Sequence, residues 1–364
     1  MAVAQLGVSR PWLFEAFPGL LQEIAWTPLV EAPTPIQRLE NLSARLKREV
    51  WIKRDDKTSS VYGGNKPRKL EFILGDALAK GRKTLVTGGG IGTNHGLATA
   101  IFGHKLNFHV VLGLFAQPVT PHVRENLLLF HAHKAQMVYA GTLLKAVLRY
   151  YVTERLRWPG AYFIAPGGSN QLGALGYVDA GLELAMQIER KEMPLPKVVF
   201  VAVGTCGTMA GLVLGLRLAG LRTEVVGVQV APSAFASSKA ILRLAQKTFK
   251  LMRQHDRSVP KVELTLADVT MDRVHYGPGY GHPTDAGRAA LKLVAETEDI
   301  TLDATYTGKA FGGLLDYLKT ESEKKPVLFW NTFNSVDLSS LAKSMDFRSL
   351  PKTFHRFFEG ATVS

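Results

Sequence analysis

The sequence predicts a doubly wound α/β protein with mostly parallel sheets, and three observations carry that expectation. Seven short apolar runs read as strands, at 84–87, 108–114, 135–140, 161–165, 197–203, 224–230 and 326–332. Helical patterns such as HGLATAIFGHKL, TLLKAVLRYYVTERL and MAGLVLGLRLAG lie between them. Runs rich in Val and Ile, apolar on both faces and separated by helices, belong to a sheet covered on both sides. Glycine-rich stretches stand where a run hands over to a helix, and in open α/β sheets ligands bind beyond the carboxyl ends of the strands. The number of strands argues for two sheets in two domains.

Composition narrows the class. The chain has 364 residues, 46% of them hydrophobic, enough for a sizeable core. Its opening, MAVAQLGVSRPWLFEAF, has no basic head, apolar stretch or small-residue cleavage site, so no signal peptide is expected. Nowhere do about 18 apolar residues run together as a membrane span requires. The single cysteine, Cys206, excludes an internal disulfide framework. A cytoplasmic protein without membrane attachment is the expectation. The net charge of +13 raises the question of nucleic acid. The cations are scattered, however, and the densest stretch, SSKAILRLAQKTFKLMRQHDR, has amphipathic helical spacing. No nucleic-acid motif is present, so no such partner is expected; the basic surface suits small anionic substrates better.

From Pro67 the residues Leu70, Phe72, Ile73, Leu74, Ala77 and Leu78 recur at helical spacing. Proline suits the first helical position, where its missing amide would have had no partner. Lys66 then stands at the positive end of a helix, where a cation is disfavoured. It is either a solvated turn residue or an amine of lowered pKa able to act as nucleophile or base.

Three loops could carry chemistry. Gly204-Thr205-Cys206-Gly207-Thr208 follows a strand and opens a helix, so its amides can converge on an anion such as one phosphate. It is neither a Walker loop nor a dinucleotide fingerprint, and a tight turn that binds nothing has the same letters. Cys206 reads as a small filler, with no base near it in sequence. Gly88–Gly92 leads into Thr93-Asn94-His95, a helix start that could hold a carboxylate or simply cap itself. The third region, YGPGYGHP, carries Tyr280; downstream come Tyr306-Thr307-Gly308-Lys309 and Trp330-Asn331-Thr332. His131 and His133 lack a third ligand beside them, so no metal is expected.

The combination resembles the fold-type-II pyridoxal-phosphate enzymes, tryptophan synthase β-like, and within them the D-cysteine desulfhydrase and 1-aminocyclopropane-1-carboxylate deaminase branch. KRDD, GGNKPRKLE, TNH, PGGSNQLGALGYV, GTCGT, GPGYGHP and YTGKA read like that branch in the same order from about Pro28 onward. The resemblance implies pyridoxal 5'-phosphate between a large cofactor-binding domain, 1–68 with 176–364, and a small α/β domain, 69–175. It implies that Lys66 carries the cofactor and, freed by substrate, takes the α-proton. Asn65 and Asn94 would flank the cofactor, Gly204, Thr205, Cys206, Gly207 and Thr208 would hold its phosphate, and Thr332 would face its pyridine nitrogen. Thr93, with Asn94 and His95, would bind the substrate, and Tyr280 and Tyr306 would lie close to the reacting atoms. A small amino-acid substrate and a homodimer are implied as well.

Several positions depart from the pattern. Gly92 and Thr93 replace glutamine and serine, and Asn331-Thr332-Phe333-Asn334 replaces His-Thr-Gly-Gly. Ring opening in the deaminases is thought to use a glutamate where Thr307 stands here, and a neutral hydroxyl cannot keep a pyridine nitrogen protonated as a carboxylate can. With His95 in place of glutamine, these residues favour β-elimination. The expected reaction is that of a D-cysteine desulfhydrase, ahead of an L-cysteate sulfo-lyase, a deaminase, or a catalytically silent cofactor-binding protein.

Overall fold

The computed structural model describes residues 10–362. The first nine residues, part of the stretch read for a leader, lie outside them.

In chain order the strands are β1 (Ile36–Arg38), β2 (Val50–Lys53), β3 (Thr84–Gly90), β4 (His109–Phe115), β5 (Gln136–Gly141), β6 (Tyr162–Phe163), β7 (Val198–Val203), β8 (Glu224–Gln229), β9 (Thr270–Asp272) and β10 (Val327–Trp330). All seven expected runs form strands. The three that sequence reading missed are short or carry charge: β1 and β9 have three residues each, and β2 ends on Lys53.

The chain divides into two compact units. The larger holds the chain up to Phe72 and Ser169–Ser335, and the smaller holds Ile73–Gly168 and the segment from Val336 onward. The larger carries a six-stranded sheet of order β1-β2-β10-β7-β8-β9, in which only the β1–β2 pair is antiparallel. The smaller carries a wholly parallel sheet of order β5-β4-β3-β6. The C-terminal segment, expected in the large domain, groups with the small one for a visible reason. Arg124 donates to the carbonyl of Phe357 at 2.8 Å, and the Tyr139 ring meets Phe354 and Phe357 edge-on, with centroids 6.0 and 5.5 Å away.

Period-two alternation divides the larger unit's core between the two faces of its sheet. Val199, Val201 and Val203 of β7 join Leu328 and Trp330 of β10 on one side. Val198, Phe200 and Ala202 join Val327 and Phe329 on the other. On the first side helices Gln171–Glu189 and Gly207–Leu218 pack closely. A Cβ on Gly211 would lie 2.4 Å from the carbonyl oxygen of Ala174, so only glycine lets the backbones approach. The sheet, buried on both faces, is a rigid base for the loops beyond β7 and β10.

Candidate active site

Helix Asn65–Ala79 begins two residues earlier than expected. Lys66 therefore lies within its first turn and Pro67 is third, still among residues whose amides have no helical partner. Gly64, at φ 85°, makes the entry turn; a Cβ there would stand 2.7 Å from the carbonyl oxygen of Thr332, which accepts from the Asn65 amide at 3.2 Å. The loop after β10 thus fixes where this helix starts.

The helix is held by a buried charge network. Arg68 donates to Asp55 Oδ1 at 2.9 Å and to Glu183 Oε2 at 3.0 Å. Asp55 Oδ2 also accepts from Tyr177 at 2.8 Å and from the Trp330 indole at 2.7 Å. Lys53 pairs with Glu183 at 2.5 Å. Glu183 is held down to about 2 against its own burial, because two cations face it. Lys53, Asp55 and Arg68 are thus satisfied through one another and Glu183, as burial demands.

At the mouth of the helix Lys66 is partly buried. Its Nζ donates to Asn65 Oδ1 at 2.7 Å, and Asn65 Nδ2 donates to Thr208 Oγ1 at 3.0 Å. Loss of solvation brings Lys66 down to about 8, with the Asp303 carboxylate opposing the shift. The amine that sequence reading could not distinguish from a turn lysine is therefore part neutral near physiological pH.

The loop after β7 is the one expected to form an anion cup. Cys206 takes φ 67°, and Thr205 Oγ1 meets Ser169 Oγ at 2.8 Å. A Cβ on Gly207 would lie 2.6 Å from Ser169 Oγ and 3.2 Å from Lys69 Nζ, so a buried lysine amine stands against the start of helix Gly207–Leu218. Burial, and the nearby charge of Lys66, push Lys69 well below its ordinary value. A bound dianion would offset that cost. Cys206 is buried, its thiol raised by desolvation and donating to the Phe235 carbonyl at 3.0 Å, so it fills space rather than reacts. Ser169 and Lys69 were missed in the sequence; both lie inside recognised motifs, but their spacing gives no sign of the cup.

Tyr280 and Tyr306 are joined hydroxyl to hydroxyl at 2.6 Å. Burial raises both, Tyr306 the further, so both hydroxyls keep their protons and either can donate to the other. Asp303, also missed, opens the helix Thr307–Thr320. Its Oδ1 accepts from the amides of Thr305 and Tyr306, and its Oδ2 from the amide and hydroxyl of Thr307. The Thr307 hydroxyl donates to Oδ2 at 2.7 Å and accepts from the Asp303 amide at 2.8 Å. Read in the sequence as a neighbour of the pyridine nitrogen, Thr307 is committed to the helix start. The charge of Asp303 acts on Lys66, Tyr280 and Tyr306 together.

The remaining expected residues lie in the smaller unit. Thr93 caps helix Asn94–Lys105, its hydroxyl oxygen accepting from the Gly96 amide at 3.2 Å. A Cβ on Gly89 would stand 2.5 Å from that oxygen. Asn94 Oδ1 accepts from His122 at 2.8 Å and Asn126 at 3.2 Å. The Thr87 hydroxyl donates to the Ile164 carbonyl at 3.0 Å, so His95 must donate its Nε2 hydrogen to Thr87, also 3.0 Å away. The Gly92 amide donates to Gln117 Oε1 at 3.2 Å, which brings a glutamine from another loop beside the position that lost one. Among the described residues no cluster of three metal-ligating side chains occurs, and no helix is long and apolar enough to cross a membrane.

A lysine of lowered pKa linked through Asn65 to the loop after β7, with a second parallel sheet in a smaller unit, fits a fold-type-II cofactor enzyme. The comparisons agree. A family model described as pyridoxal-phosphate dependent enzyme matches residues 27–332, and the chain belongs to that family. D-cysteine desulfhydrase of Klebsiella pneumoniae (strain 342) is 38% identical over 314 residues, covering 84% of this chain and 92% of the relative. The protein of the same name from Salmonella newport (strain SL254) is 39% identical over 315 residues, with the same coverage. A crystal structure of an ACC deaminase homologue superposes with a TM-score of 0.76 at 30% identity, covering 92% of this chain and 99% of that one. Threonine deaminase isoform 2 of Solanum lycopersicum, at 20% identity and TM-score 0.61, shares the fold.

Proposed function

We propose that the protein is a D-cysteine desulfhydrase, converting D-cysteine and water to pyruvate, ammonia and hydrogen sulfide. The observation that carries this reading is the locked Thr307. Both hydrogen-bonding roles of its hydroxyl are spent on Asp303, and all four acceptances made by Asp303 are spent on the helix start. No acid on this element is left to protonate the pyridine nitrogen, which suits departure of a β-thiolate better than opening of a strained ring. The curated relatives carry the same activity in their names.

In this reading Lys66 carries the cofactor, Asn65 steadies the amine, and Gly204 to Thr208 with Lys69 hold the phosphate. Thr332, just beyond the end of β10, would be the neutral partner of the cofactor's pyridine ring. Thr93, Asn94 and His95 hold the substrate carboxylate at a helix start, where amides favour an anion. Pyridoxal phosphate supplies the electron sink for charge left at the α-carbon. Lys66 Nζ receives the α-proton, a role for which an amine near 8 is well matched. The Tyr280–Tyr306 pair, kept protonated by burial, would donate a hydrogen bond to the departing sulfur. A homodimer in the cytoplasm belongs to the same reading, and the large domain is its cofactor-binding part.

The test is product release from D-cysteine, L-cysteine, L-cysteate and 1-aminocyclopropane-1-carboxylate by the purified protein. Pyruvate and sulfide from D-cysteine are expected. Sulfite from L-cysteate would make it a sulfo-lyase, and ring opening without D-cysteine turnover would make it a deaminase; either would overturn the assignment.

A further inference from the structure

Lys309 has no place in the chemistry above, yet its side chain is fully buried and its Nζ points at a loop rather than an acid. It donates to the carbonyl of Tyr276 at 2.7 Å and to that of Gly279 at 3.1 Å, and lies 5.4 Å from the centroid of the Tyr276 ring. Two carbonyls and an aromatic face are the surroundings of a small monovalent cation. The loop has little else to hold it. Gly277, Gly279 and Gly281 all have positive φ, and its own backbone bonds, Tyr276 to Arg273 and His282 to Gly279, are 3.4 Å long. Its far end is tied by Tyr280 to Tyr306, one turn before Lys309 on the same helix. Two residues of one helix start thus grip the loop at two points.

We infer that Lys309, as an ammonium ion, is a positioning residue for Tyr280, pinning the loop so that the Tyr280 hydroxyl stays against Tyr306. The inference rests on the proposed role of Tyr280 in the reaction, but the pinning itself can be tested apart from it. Burial brings Lys309 to about 8, opposed by Asp303, and below that pH it is the ammonium ion that the two carbonyls accept from.

The experiment uses the holoenzyme with Lys309→Ala and Lys309→Gln. Hydrogen exchange of the amides at 276–282 should quicken about tenfold or more in the alanine variant, the size expected for lost charge-assisted bonds. In the glutamine variant, which keeps donors but no charge, the increase should be smaller. The rate of pyruvate release should fall through kcat with KM little changed, while the cofactor stays bound through Lys66. Methylammonium at millimolar concentration should restore both loop protection and rate to Lys309→Ala, and leave wild type unaffected. Unchanged exchange in both variants would overturn the pinning, whatever the substrate proves to be. Should the alanine variant fail to fold, glutamine-variant exchange equal to wild type would overturn it alone. Faster exchange with full activity would support the pinning by Lys309 but refute the role for Tyr280.

Discussion

Lys66 should be far more reactive than a surface lysine, and Asp303 should set how much. With the ordinary lysine value of 10.5, about 0.1% of an amine is neutral at pH 7.5. With Lys66 brought to about 8, roughly a quarter is neutral at the same pH. The ratio is about two orders of magnitude, offset in part because a less basic amine is a weaker nucleophile. Asp303→Asn removes the one charge that favours the ammonium form. The neutral fraction can then rise only from about a quarter towards one, so the gain at pH 7.5 is capped near fourfold and vanishes above about pH 9. Asparagine retains one carbonyl oxygen for the helix-start amides, so the cap is weakened rather than lost.

Reductive methylation of cofactor-free protein across pH 6–10, read peptide by peptide by mass spectrometry, measures both effects. Lys292, whose side chain is 77% exposed, serves as the surface reference. The Lys66 profile should have its midpoint near 8 in wild type and lower in Asp303→Asn. A wild-type midpoint near 10 would refute the desolvation argument. An upward shift in the variant would refute the role of Asp303.

Thr208→Ala removes the hydroxyl that receives Asn65 Nδ2, and a donor to any bound phosphate. Cofactor affinity should fall roughly tenfold to a hundredfold, as a hydrogen bond to a charged group is worth about 1.5–3 kcal/mol; undiminished retention through dialysis would place the phosphate elsewhere. Thr307→Glu should not create a deaminase, because the new carboxylate meets Asp303 where the hydroxyl now bonds; efficient ring opening by this variant would show that Thr307 does govern the pyridine nitrogen. Glu71 is raised to about 8 by burial, although the amides of Leu29 and Val30 donate to its Oε1. The folded chain keeps a proton that the unfolded chain releases near 4.5, so this group's contribution to stability falls as pH rises from about 4.5 to about 8. Glu71→Gln keeps the acceptor and removes the titration, so its thermal midpoint should decline less over that window; an unchanged slope would count against a protonated Glu71.

What the sequence made legible was whatever repeats with a period or recurs as a motif. β7 could be read because VVFVAV is apolar at every position, and the cup after it because Gly204 to Thr208 must turn at once. β2 could not be read, because Lys53 ends it: a lysine in a strand signals an edge unless its partners are known, and Glu183 lies 130 residues away. The same holds for Asp55 and Arg68, whose shared network reaches Tyr177, Glu183 and Trp330. Charged residues are rarely fully buried unless paired, and pairing across long chain separations leaves no local trace. Thr307 was placed at the cofactor by its neighbour Tyr306, whereas its own hydroxyl answers to an aspartate four residues back. Asp-x-x-x-Thr before a helix is a capping arrangement that would have suggested this without coordinates.

Besides the ion-paired Lys53, three lysines of lowered pKa show why proton affinity alone does not assign a role. Lys66, Lys69 and Lys309 are all pushed down chiefly by burial. Lys66 and Lys309 even come to the same value of about 8. What separates them is where their hydrogens go. Lys309 spends two on carbonyls of a loop that has few other anchors, so losing its charge would cost structure. Lys69 stands against the cup, where an anionic ligand rather than a protein acid would balance it. Lys66 has a single amide oxygen, Asn65 Oδ1, and that amide is oriented from its other side by Thr208. An amine held in place by one neutral acceptor can give up its proton without unpairing a buried ion. A first-turn position at the positive end of a helix, unfavourable for a cation, is therefore suited to a lysine that must be neutral to react.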